Sequence, residues 1–134
     1  MHSRTREIVG EGGDRLRLSV ALSRAPALIT LELPECPESA QIVLDPAGAE
    51  LLAGFIISAR LAVPHSLPDE NSVRGRACRF RLVIGTSPFV ELTQPPTGKP
   101  FMIPALFWDR LYAELCLVVA HTRDIAWHVP HRLN

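Results

Sequence analysis

The chain has 134 residues, 47 % hydrophobic and 21 % charged, which suits one globular domain. A chain of this size buries roughly two thirds of its unfolded surface, so it needs neither a disulfide nor a metal staple. Its 14 basic residues balance 14 acidic ones, and that balance counts against a non-specific nucleic-acid binder, which is usually strongly basic.

Residues 1–14 are polar, with Arg4, Arg6, Glu7, Glu11 and Asp14. They lack the apolar core of a signal peptide, so they read as a flexible lead in a cytoplasmic protein. No apolar run is long enough to span a bilayer, so no membrane association is expected. Gly12-Gly13 follows no predicted strand and lacks the Gly-Lys-Ser/Thr phosphate signature.

Residues 15–20 and 79–84 are two similar stretches. Each places Arg on one face and apolar residues on the other: Arg15 and Arg17 against Leu16, Leu18 and Val20, and Arg79 and Arg81 against Phe80, Leu82 and Ile84. Period-two patterns of this kind mark half-buried antiparallel strands. A turn ending in proline follows each, at 23–26 and 86–88. Second strands follow at 27–33 and 89–93, with Ile29, Leu31, Leu33, Val90 and Leu92 facing inward. Proline-rich connections at 34–37 and 95–100 lead into short third strands, 41–44 and 101–103.

Each third strand passes directly into a helix, 46–63 and 105–121. Asp45 and Pro46 are favourable N-cap and first-turn residues; Pro104 marks the second junction without a capping side chain. An offset of 59 aligns Ala49, Leu52, Ala53, Ile56 and Ala59 with Trp108, Leu111, Tyr112, Leu115 and Val118. That i, i+3, i+4, i+7 spacing is one buried helical stripe. The reading is therefore an α+β domain of internally duplicated β-β-β-α units, with antiparallel sheet packed on two helices. Its parts are repeats at 15–63 and 78–122, a polar linker at 64–77 and a tail at 123–134.

Leu51, Phe55, Ile57, Leu106, Cys116, Leu117 and Val119 lie off the main stripes. Helices apolar nearly all round must be covered nearly all round. They are expected to pack on each other, and a homodimer is expected to use the surplus.

Enzymatic signatures are missing. No Gly-x-Ser-x-Gly elbow occurs, and Asp109 and Glu114 read as helix charges rather than an acid/base pair. His121, His128 and His131 have no neighbouring carboxylate or Cys cluster, and Val129-Pro130 breaks any helix there. The wide spacing of Cys36, Cys78 and Cys116 fits neither a disulfide framework nor zinc. Cys116 reads as inert core. Cys78, between Arg76 and Arg79, has neighbours that lower a thiol pKa, although a structural role is favoured. No catalytic residue, metal site or cofactor is assigned.

The sheet's outer face carries the chemistry. Arg15, Arg17, Arg79, Arg81 and Phe89 lie on it, and guanidinium with an exposed aromatic suits single-stranded nucleic acid. Thirteen of the 14 basic residues are Arg, Lys99 being the exception; codon bias in a GC-rich genome also explains that. On the same face Glu32 and Glu91 offer cross-strand neutralisation of these Arg residues.

Gln41-Ile42-Val43-Leu44-Asp45-Pro46 and Met102-Ile103-Pro104-Ala105-Leu106-Phe107-Trp108 carry a resemblance. A strand running directly into an amphipathic helix, with an aromatic early in the second helix, resembles the PUR-repeat family of single-stranded nucleic-acid-binding proteins. The resemblance spans about 15–121 and rests on element order. Family repeats have four strands and a Lys- and Gly-rich sheet; three strands per half and a neutral balance are read here. It implies that Arg15, Arg17, Arg79, Arg81 and Phe89 occupy positions used to hold nucleic acid. The chain is therefore read as a non-enzymatic binding module whose leading function is single-strand nucleic-acid binding on the sheet face; the alternative, in which the helical surplus and Pro-rich loops contact a partner, is a protein–protein adaptor, inhibitor or immunity-type protein.

Overall fold

The alternating stretches form the centres of two antiparallel sheets in the computed structural model, which describes residues 3–10, 12–21, 27–36, 38, 40–73 and 76–128. The first sheet has the order β1 (Ser3–Val9), β2 (Arg15–Ala21), β3 (Leu28–Glu32) and β4 (Ile42–Leu44), and α1 (Pro46–Ala62) follows it. The second has the order β5 (Glu70–Ser72), β6 (Cys78–Val83), β7 (Phe89–Thr93) and β8 (Phe101–Pro104). A 3-10 turn over Ala105–Phe107 then leads into α2 (Trp108–His128). The class is α+β, and the two halves share one order of elements.

Each half holds one strand more than the sequence pattern predicts. The flexible lead expected at 1–14 contains β1, paired along its length with β2 from Ser3↔Ala21 to Val9↔Arg15. Gly12-Gly13 belongs to the turn between them. There the Gly10 N–H donates to the Asp14 carbonyl at 2.7 Å, and Gly13 sits at φ 87°, which a Cβ would strain. Alternation fails in β1 because only Ile8 reaches the core, while Arg4 and Arg6 share its face at the rim. The expected linker at 64–77 contains β5, three polar residues, of which Ser72 alone is buried. Both are edge strands, where one exposed side removes the need for apolar residues.

The helical starts differ as the sequence predicts. Asp45 caps α1 by accepting from the Gly48 N–H at 2.7 Å, with Pro46 in the first turn. Pro104 supplies no capping side chain, and the chain begins with a 3-10 turn, the tighter form common at helix ends. Arg60 of α1 ties this turn to the neighbouring helix without capping it. It donates to the Ala105 carbonyl at 2.9 Å, pairs with Asp109 at 3.0 Å and lies 5.0 Å over the Trp108 ring. Trp108 is fully buried and donates its indole N–H to the Ile103 carbonyl at 2.9 Å. α2 runs past the expected end at 121. The turn expected at 23–26, Pro37 and the tail at 129–134, with Pro130 and His131, lie outside the described residues.

The helices run antiparallel: Arg60 meets Asp109 at one end, and Arg123 meets Glu50 at the other. Ile56 and Leu115, the aligned stripe positions, are both buried, as are Leu52 and Leu111. One continuous apolar cluster draws on both sheets and both helices. Phe55 of α1 crosses into the second half, its ring 5.9 Å from that of Phe80 in β6. In the other direction, Gln94 at the end of β7 reaches β4. Its amide accepts from the Val43 N–H at 2.9 Å and donates to the Val43 carbonyl at 2.7 Å, as a paired strand would.

Two substitutions measure this arrangement. Leu52→Ala or Leu111→Ala should cost about 2–5 kcal/mol in urea unfolding, the range for a fully buried leucine. Gln94→Leu should cost about 1–3 kcal/mol, because it leaves both polar groups of Val43 without that partner. A loss below ~0.5 kcal/mol for Gln94→Leu would show that water replaces the amide.

Candidate interaction surface

Alternation turns Arg15 and Arg17 of β2, Arg79 and Arg81 of β6, and Phe89 of β7 away from the core. Each of the four Arg residues meets a carboxylate. Arg15 holds Glu35 through two side-chain hydrogen bonds, 2.7 and 3.0 Å, and donates its backbone N–H to the same carboxylate at 2.8 Å. Arg17 binds Glu7 at 3.0 and 3.1 Å, and Glu7 also lies 3.4 Å from Arg15. Arg79 binds Asp69 through both Nε, at 3.1 Å, and Nη2. Arg81 stands opposite Glu91, at 4.0 Å.

The sequence pattern predicts neutralisation by Glu32 and Glu91. Glu91 stands at its cross-strand position beside Arg81. Glu32 opposes Arg17 in register, but the described ion pairs of Arg15 and Arg17 go to Glu7 and Glu35. Those acids come from β1 and from the loop after β3, elements whose positions the alternation of β2 and β3 does not reveal. The hydrogen bond with Arg15 holds the Glu35 carboxyl below its ordinary value, and the same bond raises Arg15. Any stability from the pair is complete above the usual glutamate pKa. It is lost only as pH falls through the lowered folded value.

Phe89 is half-buried, opposite Val83 and Pro104, and reaches Arg81 only along a diagonal. The two Arg pairs lie on separate sheets. Arg79 and Arg81 are the more open, with side chains 55 % and 54 % exposed.

Of the cysteines, Cys78 takes the structural place favoured from the sequence and Cys116 does not. Burial pushes the Cys78 thiol up to about 11, so the flanking Arg residues do not activate it. Cys116 is exposed on α2 rather than inert in the core. Among the described residues, no group of three His, Cys, Asp or Glu is placed to hold a metal ion, and no helix is long and apolar enough to cross a membrane.

A second surface was not legible in the sequence. The inner face of β1 looks toward α2, and between that face and the helix lies a groove of about 290 Å³. It is lined by Arg4, Arg6, Val20, Leu117, Val118 and His121, with Glu114 at its base. Glu114 is buried and paired with Arg6 at 3.1 Å. Arg4 is exposed and has no ion-pair partner among the described residues. Leu117, 63 % exposed, forms the helical wall. Of the helical surplus expected to face a second copy, only Leu117 lines this groove; Ile57, Leu106 and Cys116 are exposed outside it, and Phe55 and Val119 are buried. A search of family models and of curated proteins finds no match to this chain.

Thiol chemistry checks the burial assignments. With iodoacetamide at pH 8, native protein should alkylate at Cys116 well before Cys78, because thiolate is the reacting species and Cys78 stays protonated. Peptide mapping showing Cys78 modified first would contradict its burial.

Proposed function

We propose that this chain is a non-enzymatic protein-binding module, of adaptor, inhibitor or immunity type, which receives its partner along the β1–α2 edge. The observation that carries this reading is a contrast in charge. The sheet-face Arg residues already have carboxylate partners, while the β1–α2 groove holds Arg4, without an ion pair among the described residues, beside exposed apolar wall. A partner that displaces a formed ion pair gains only the difference between two interactions, whereas one that meets Arg4 and Leu117 adds both.

A second reading, single-strand nucleic-acid binding, keeps specific support. Arg79 and Arg81 are more than half exposed with Phe89 on the same face. Each helix is preceded by four strands, the number that PUR repeats carry. A homodimer through the exposed part of α2 would cover Leu117, so it is compatible with the nucleic-acid reading and competes with the protein-binding one.

Two measurements separate them. Panning a random peptide library on the full chain should select peptides whose binding disappears on Leu117→Asp; selection of none sensitive to that change overturns the protein-binding assignment to this edge. In parallel, labelled single-stranded DNA and RNA should show no saturable binding at low salt. Suppose instead that binding appears, weakens with salt, and has a shallower slope in an Arg79→Ala/Arg81→Ala variant, by roughly 0.7 for each phosphate no longer neutralised. That result would move the assignment to the sheet face.

A further inference from the structure

We infer that the partner is an acidic, extended peptide segment that adds as a fifth strand to the open edge of β1. This rests on the protein-binding reading of the same edge and names the chemistry that fills it.

β1 is seven residues long and pairs on one side only, with β2. Among the described residues, no side chain or backbone bonds to its other side. It contains no proline and no bulge, because its register with β2 is unbroken from Ser3 to Val9. Such an edge presents a row of unpaired N–H and C=O groups in strand geometry, the template for strand addition. Its backbone therefore supplies affinity without sequence preference.

The side chains supply the preference. Arg4, Arg6 and Ile8 share the face turned toward α2, since their partners Val20, Leu18 and Leu16 are buried. In an antiparallel addition, residues directly opposite one another fall on the same face. A guest strand would thus place alternate side chains opposite Arg4 and Arg6, over the groove walled by Leu117 and Val118. Carboxylates at those positions complement Arg4 and Arg6, of which only Arg6 already has a partner among the described residues, Glu114. Basic side chains there would meet like charge.

The same pattern excludes a second copy of β1 as the guest. Antiparallel self-pairing about a twofold, in the registers with most overlap, brings Arg6 onto Arg6, Arg4 onto Arg6, or Glu7 onto Glu7. Like charges directly opposite are destabilising. Inward-pointing charge on an edge strand is also how sheets avoid self-association. Here it bars the identical strand and admits one of opposite charge.

The test uses the full chain and synthetic peptides of seven residues, matched to β1. One alternates Val and Glu; its counterpart replaces Glu with Lys. In fluorescence anisotropy the Glu peptide should bind saturably and more weakly as salt rises, and the Lys peptide should not bind. Arg4→Glu, at an exposed residue, should weaken the Glu peptide about tenfold or more, the ratio matching one charge-assisted hydrogen bond. Arg4→Ala guards against a folding defect and should weaken it less. Main-chain pairing is tested by N-methylation: blocking one alternate set of peptide amides should abolish binding, and blocking the other should be tolerated. No binding of the Glu peptide, equal binding of the Lys peptide, or indifference to which amides are blocked overturns the inference. Its failure is distinguishable from that of the underlying reading. If panning selects peptides sensitive to Leu117→Asp that lack alternating acids, protein binding at this edge stands and the acidic strand falls.

Discussion

Neither half of this protein can bury its own helix. α1 carries Phe55 beside its main stripe of Ala49, Leu52, Ala53, Ile56 and Ala59, all buried. That width exceeds what one small sheet covers. The solution is exchange: α1 presents Phe55 to Phe80 of the second sheet, α2 packs antiparallel along α1, and Gln94 reaches back to Val43 of the first. Burial on this scale, at about 25 cal/mol per Å² of apolar surface, outweighs any single polar contact in the molecule. The polar contacts instead fix how the parts meet. Arg60 holds the uncapped start of α2 from the neighbouring helix, and Trp108 can be fully buried because Ile103 accepts its indole N–H.

How far the sequence foretold this depended on how much of each element faces the core. β2, β3, β6 and β7 alternate because they lie mid-sheet with one face buried, and their period is visible in Leu16, Leu18 and Val20 or in Phe80 and Leu82. The helical stripes were visible for the same reason. β1 was hidden because only Ile8 of its inward residues is buried, and β5 because it is polar Glu-Asn-Ser with Ser72 alone inside. The outward placement of Arg15, Arg17, Arg79 and Arg81 followed from alternation. So did the pairing of Arg81 with Glu91, but the partners of the other three did not, since Glu7, Glu35 and Asp69 reach them from an unrecognised strand and from loops. The groove was out of reach for a related reason: it exists only where β1 and α2 meet, and no local pattern joins Arg4 to Leu117.

The zero net charge acquires a spatial meaning in this arrangement. The balance is local, pair by pair, on both sheet faces and at both ends of the helix pair. Exposed pairs of this kind contribute little stability each, because solvent screens them. Their effect is rather on the field outside the protein: a matched pair projects little potential beyond its own neighbourhood, so long-range attraction arises where matching fails. At the β1 edge matching is incomplete.

The Phe55–Phe80 exchange also bears on how the chain is made. Residues are added to a growing chain at roughly 5–20 per second. α1 therefore leaves the ribosome some seconds before β6, β7 and β8 exist to cover it. During that interval the first sheet and α1 are all present, yet Phe55 and its neighbours face water. Burial of the α1 flank is therefore completed only once the second sheet has been made.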